Sequence, residues 1–446
     1  MLGVLLLLGA YYAVVTLRDH HPAGADAARQ IATELLRDAL SPPSVLIVAG
    51  TGTEDPAFAS TLEAELQRRG ARVAARVIGE PRDARLALEK LATEGSPLGA
   101  IATTTECAAW PVLSNVGRRF PVLGEPKLVS PHPYRWPTFL TRDNLLNIAN
   151  QIAVVAILAV GMTVVIITGG IDLSVGSLIA LSAVVVTVLI RDVAGGIAAS
   201  GAMLWACSAA GVALCLLVGT ASGALVAWCK VPPFIATLAV MQVASGLAFI
   251  VAQGGSIYEV PDTFTALGRG TLMFGLPNAV LLMLVLYAGT HALMSRTVLG
   301  RRIYAVGGNP EAARLSGVNL SVILIFAYGF CGAMAGLGGV LQASQLKSGA
   351  PNYGVMYELY AIAAVVVGGT SLSGGEGRVL GTLIGAFIIA VIQNGMNLTG
   401  VQSYQQKVVL GLVILGAVLL DLLKKRDWKR LFQRRANPSA QSSSEK

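Results

Sequence analysis

Charge is scarce in this chain of 446 residues: Asp, Glu, Lys and Arg together make only 13% of it, and aromatic residues 6%. A water-soluble domain carries about a quarter charged residues, so an ordinary aqueous surface is excluded. Histidine and cysteine are also few, at 4 and 5. His20, His21, His132 and His291 have no ligand spacing, which gives no metal site. Cys207, Cys215, Cys229 and Cys331 fall in apolar runs and only Cys107 outside them, so the thiols read as packing residues, not a disulfide framework. The pattern GxxxxGK[ST] is missing throughout, which leaves no phosphate cradle for ATP in this chain. No Ser/His, Cys/His or metal constellation offers catalysis either, so the chain is not read as an enzyme.

What is present is apolar. Hydrophobic residues make 54%, glycines number 50 and the mean hydropathy is +0.66, values that describe an integral membrane protein with closely packed helices. Apolar stretches lie near 1–17, 146–168, 175–190, 197–228, 233–252, 276–294, 321–342, 357–371, 379–396 and 404–421. The expectation is therefore an α-helical polytopic membrane protein with about ten transmembrane helices. The absence of a basic residue before residues 1–17 argues against a cleaved leader there.

Net charge is +8, yet residues 1–136 hold 14 basic and 14 acidic side chains, so the whole excess belongs to the later part. Lys424, Lys425, Arg426, Lys429, Arg430, Arg434 and Arg435 make residues 424–446 a basic tail, cytoplasmic by the positive-inside rule. An orientation signal accounts for this charge, and nucleic-acid binding is not expected. Ten spans place the termini on one side, with Lys230, Arg296, Arg301, Arg302, Arg314 and Arg378 on the same side as the tail.

Residues 25–130 differ. SVLIVAG (44–50), ARVAARVIG (71–79) and GAIATTT (99–105) read as strands, and DPAFASTLEAELQRRG (55–70) and PRDARLALEKLATEG (81–95) as helices stopped by glycine. That alternation predicts a small α/β domain with a parallel sheet, placed by the topology outside the cytoplasm, between helices 1 and 2. Proline-rich residues 126–142 read as a linker returning to the membrane.

GGIDLSVG (169–176) puts Asp172 between two apolar runs. Gly169 and Gly170 can break a helix, and Asp172 is placed to cap the next one or to face a pathway. GGTSLSGG (368–375) repeats the pattern GGxxLSxG, with Gly368, Gly369 and Ser371, and marks a second break in a corresponding place. In GNPEAARLSG, Asn309 caps a short helix, Pro310 opens it, Glu311 sits in its first turn and Gly317 stops it.

Residues 138–423 resemble the membrane permease of bacterial ABC importers for ribose, xylose and related sugars. The likeness rests on TFLTRDNLLNI, AVGMTVVIITGGIDLSVGSLIAL, VPPFIATLAVM, LGRRIYAVGGNPEAARLSGV, YELYAIAAVVVGGTSLSGGEGRVLGTLIGA and QNGMNLTGV, in that order. The resemblance implies a multi-pass protein of the bacterial cytoplasmic membrane that takes a monosaccharide inward. It implies a permease homodimer, a separate cytoplasmic ATPase that uses the ATP, and an extracytoplasmic sugar-binding protein. It also makes residues 309–317 the segment coupled to the ATPase, through Asn309, Glu311, Ala312, Ala313, Arg314 and Gly317. The inserted α/β region departs from the family and resembles a half-lobe of a periplasmic sugar-binding protein.

A neutral polyol needs hydrogen-bonding walls rather than counter-ions. Candidates for the pathway are Asp172, Ser174, Gln253, Glu358, Asn394 and Asn397, with Gln151, Thr163 and Gln242 as further polar residues in the spans. The alternative, an ion-coupled secondary transporter or channel, calls for more ionisable groups in the spans than this chain has.

Overall fold

The structure is a computed structural model that describes residues 1–37, 44–272 and 275–425. The chain forms two compact units, one of Met1–Thr16 with the chain from Thr138 onward, the other of Leu17–Pro137. The first helix, α1 (Leu2–Val15), belongs to the former.

Unit Leu17–Pro137 contains β1 (Leu17–His20), α2 (Gly24–Arg37), β2 (Ser44–Ala49), α3 (Asp55–Arg68), β3 (Arg72–Ile78), α4 (Pro81–Thr93), β4 (Ala100–Thr103), the short α5 (Val116–Arg119), β5 (Lys127–Val129) and β6 (Tyr134–Pro137). A parallel sheet runs in the order β3-β2-β4-β5, as strands alternating with helices require. The period-2 alternation of β2 divides its side chains between two cores. Val45 and Ile47 pack with Ile31 of α2 and Phe58 and Leu62 of α3, whereas Leu46 and Val48 meet Leu88 and Leu91 of α4. Burial of each such large side chain contributes about 1.5–3 kcal/mol.

The stretch read as a linker is more ordered than its composition suggests. Residues Lys127–Val129 extend the sheet beside β4, and β6 pairs antiparallel with β1 from Leu17↔Pro137 to His20↔Tyr134. Strands of three and four residues are too short for alternation to show, and the flanking prolines hide them.

The other unit continues with α6 (Arg142–Ile167), α7 (Val175–Asp192), α8 (Gly201–Ala227), α9 (Pro233–Val251), α10 (Ala266–Arg269), α11 (Asn278–Arg296), α12 (Val298–Gly308), α13 (Pro310–Leu315), α14 (Leu320–Leu346), α15 (Tyr357–Val367), α16 (Val379–Leu398) and α17 (Ser403–Lys425). Among the described residues seven helices, α6, α7, α8, α9, α11, α14 and α16, are long and apolar enough to cross a bilayer. Shorter apolar helices occupy the three other places the hydropathy marks, at Leu2–Val15, Tyr357–Val367 and Ser403–Leu419. The basic residues from Arg426 onward lie outside the described residues.

Helix α6 is apolar all round and 89% of its most hydrophobic stretch is buried, so it forms the centre of this unit. Helices α8 and α9, at 22%, leave most of theirs for lipid. Glycine lets α8 lie against α14: a methyl group on Gly223 would come within 2.8 Å of Ile325 Cα, and one on Gly336 within 2.8 Å of Val212 Cα. At the exit of α14, Lys347 adopts φ +55° and pairs with Asp262, whose carboxyl this hydrogen bond holds below the usual carboxylate range.

Candidate functional site

Two interrupted places define the helical unit. The first is the break between α6 and α7. Helix α6 ends in a glycine stop: Gly169 takes φ +82°, its N–H donates to Ile166 and the Gly170 N–H to Val165. Asp172 is fully buried there, and its Oδ1 accepts from the Ser174 N–H at 2.9 Å and the Ser174 hydroxyl at 2.6 Å. Ser174, not Asp172, is the cap residue of α7, so the carboxylate fixes the cap instead of capping the helix itself. Its Oδ2 has no hydrogen-bond partner, with the Cys331 thiol beside it.

The second interruption precedes α15, a half-length helix of 11 residues that starts after Met356 at φ +70°. Ser348, Ala350, Pro351 and Gly354 of the irregular segment before it are buried, which non-helical backbone inside a membrane requires. The first turn of α15 borders two cavities. Tyr357 and Tyr360 line one of about 340 Å³, and Glu358 lines another of about 210 Å³ with Gly176, Gln242 and Ser245.

The larger cavity is chemically distinctive. Its polar wall is Gln151 of α6, Gln342 and Gln345 of α14 and Gln393 of α16, and its apolar wall includes Ile148, Ile152 and Val155 of α6. Four amides and two phenols offer both donors and acceptors without an ionised group. The volume falls in the range of small-molecule sites, roughly 300–1,000 Å³. Such a wall can exchange hydrogen bonds with a neutral polyhydroxylated solute and holds no fixed charge that would trap an ion.

The candidate residues distribute as follows. Asp172 and Ser174 form one buried pair, and Glu358 shares its cavity with Gln242. Asn394 makes a reciprocal amide pair with Asn144, linking α16 to α6 at 2.8 and 3.1 Å. Asn397 is exposed and accepts from Gln406, and Gln253 is exposed at φ +51° after α9. Thr163 is buried against Thr382. Of the residues singled out in sequence, only Gln151 lines the amide cavity. The others, Gln342, Gln345 and Gln393, carried one available signal, a neutral amide inside an apolar span. Only the packing of α6, α14 and α16 shows that they converge.

At the opposite end of α6, Gly374 and Gly375 of the second GGxxLSxG segment lie against Gly169 and against Gly307 and Gly308 at the end of α12. Asn309 follows, and its Oδ1 accepts from the Ala312 N–H at 3.0 Å, capping α13. On α13 Glu311 and Arg314 are exposed and paired, and Ala313 is buried. Gly317 ends the segment at φ +82° with open space around it. Among the described residues no group of three His, Cys, Asp or Glu side chains converges as metal ligands would.

Comparison with known proteins covers this unit. A family model described as "Branched-chain amino acid transport system / permease component" matches residues 144–418. The chain is 44% identical over 293 residues to the ribose import permease protein RbsC of Escherichia coli (strain K12), across 65% of this chain and 88% of that one. It is 43% identical over 290 residues to RbsC of Bacillus subtilis (strain 168), across 65% and 87%. Against the galactose/methyl galactoside import permease protein MglC of Escherichia coli (strain K12) the identity is 37% over 302 residues, across 65% and 89%. No solved structure matches the chain.

Proposed function

The chain belongs to the family of branched-chain amino acid transport system permease components, and from that membership we propose that it is the translocating subunit of an ABC importer for a monosaccharide of the ribose, xylose or galactose kind. It works in the bacterial cytoplasmic membrane, crossing it about ten times: the three shorter apolar helices complete the seven long ones. Residues 1–17 form the first crossing, 25–130 an extracytoplasmic domain, 138–423 the permease proper and 424–446 the cytoplasmic tail. The chain needs no cofactor of its own. A separate ATPase, bound at residues 309–317 on the cytoplasmic side, uses the ATP, an extracytoplasmic binding protein delivers the sugar, and two copies of the permease form the membrane core.

One observation carries this reading: the cavity of four glutamines and two tyrosines bounded by α6, α14, α15 and α16. A sugar loses hydrogen bonds to water on entering the membrane, and each bond left unmade inside costs about 1–3 kcal/mol. Neutral amides replace those bonds without the desolvation cost of a fixed charge. The interrupted α15 places its first turn at the cavity, as a pathway between two accessible states requires.

Gln151→Leu and Gln393→Leu remove amides at nearly constant volume. In vesicles containing the cognate ATPase and binding protein, each variant is expected to lower uptake of labelled ribose or galactose about ten-fold, as loss of a buried bond of roughly 1.4 kcal/mol would. Membrane accumulation and ATPase retention should stay unchanged. Normal uptake from both variants would remove the cavity from the pathway.

A further inference from the structure

The end of α12, the stop of α6 and the loop after α15 meet without side chains between them. A methyl group on Gly374 would lie 2.9 Å from the Gly307 carbonyl oxygen and 3.0 Å from both N and Cα of Gly169. One on Gly375 would lie 2.7 Å from Gly308 Cα, and one on Gly307 2.6 Å from the Gly375 nitrogen and closer still to the Ile167 carbonyl oxygen. Real side chains do not sit at such distances, so glycine is required at Gly307 by space. Two hydrogen bonds tie the three backbones: the Gly375 N–H donates to Ile167 at 2.9 Å, and the Tyr304 hydroxyl donates to the Gly377 carbonyl at 2.8 Å.

The three segments lead to different places. Only Asn309 separates α12 from α13, and its N–H still donates to Ala305. Helix α6 carries Gln151 of the amide cavity, and α15 carries Tyr357 and Tyr360. Backbone packed on backbone has no rotamers with which to absorb a displacement, so movement of one segment passes to the others.

We propose that Gly307, Gly374 and Gly375, clamped by Tyr304, form the joint that carries a displacement of α13 to the two helices walling the amide cavity. This rests on the reading of α13 as the surface on which the ATPase pulls. The residues act by position, since none of them touches the cavity.

Neighbouring glycines supply the test. Gly308 has nothing nearer than 4.0 Å to a methyl group placed on it, so Gly308→Ala fits where Gly307→Ala does not. Each variant is reconstituted with the cognate ATPase and binding protein, and labelled ribose or galactose taken up is measured per ATP hydrolysed. Gly308→Ala should match the wild type. Gly307→Ala should keep the ATPase bound and active while uptake per ATP falls about ten-fold. Tyr304→Phe removes only the hydroxyl, so it should accumulate normally whatever Gly307→Ala does, with uptake per ATP down about five-fold. Wild-type ratios from both Gly307→Ala and Tyr304→Phe, or equal losses from Gly307→Ala and Gly308→Ala, would overturn the joint while leaving the function intact. A wild-type chain that neither retains the ATPase nor responds to ATP would instead overturn the reading of α13, and the joint with it.

Discussion

Asp172 shows how much one residue's role depends on its neighbours. Its position between two apolar runs is legible in the sequence, and so is its service to the start of the next helix. Which hydrogen bonds it makes is not, because the choice depends on the turn left by Gly169 and on the place of Ser174. Oδ1 accepts both Ser174 hydrogen bonds and Oδ2 accepts none, so an acceptor at Oδ1, not the charge, is what the turn needs. Asp172→Asn keeps an acceptor at Oδ1 and should accumulate and transport nearly as the wild type does. Asp172→Ala strands the Ser174 N–H and hydroxyl and should destabilise the protein by about 1–3 kcal/mol, read as a lower melting temperature in detergent. Equal melting temperatures for the alanine variant and the wild type would contradict this account. The amide cavity obeys the same logic from the other side: single glutamines on three helices carry no message until the helices pack.

Helices α12 and α13 form the element on which the mechanism turns. Glu311 is exposed and its Arg314 partner is on the same short helix, so it contributes little to the fold. Glu311→Lys places like charges three residues apart on the outer face of α13. It should change stability by no more than about 0.5 kcal/mol, leaving the melting temperature nearly unchanged, while reducing co-purification of the ATPase, and normal retention would separate α13 from that partner. The sequence made this element legible because its cap, its proline and its glycine stop are all local signals. Likewise the strands β2, β3 and β4 and the helices α3 and α4 lie where alternation and glycine stops put them. Other elements were hidden for physical reasons. Helix α2 has an amphipathic face that shows its worth only against β2, and β5 is too short for a period. The two GGxxLSxG segments both follow a helix stop, yet their registers differ: the first takes φ > 0 at Gly169 alone, the second at Gly369, Gly374 and Gly375. Helix α7 then starts at once at Val175, whereas α16 waits until Val379. The repeat therefore marks a shared stop chemistry, not equivalent turns, and its two copies meet face to face at Gly169 and Gly374.

For the molecule as a whole, composition fixes the membrane class because so little charge cannot clothe a water-soluble surface. The helical unit accounts for the family membership, since the matched residues 144–418 lie within it and the α/β unit lies outside the match. The two ends of the helical unit where the α/β unit is inserted are hydrogen-bonded to each other, Thr138 N–H to Thr16 carbonyl at 2.9 Å. A nucleotide-independent carrier and an ATP-driven importer differ in what moves solute. The most direct measurement is uptake of labelled ribose and galactose into proteoliposomes holding this chain, with its binding protein outside and with or without the ATPase and ATP on the side of α13. The account predicts accumulation only when the ATPase and ATP are both present. Accumulation by the purified chain alone, or no accumulation of either sugar with all partners and ATP supplied, would contradict it.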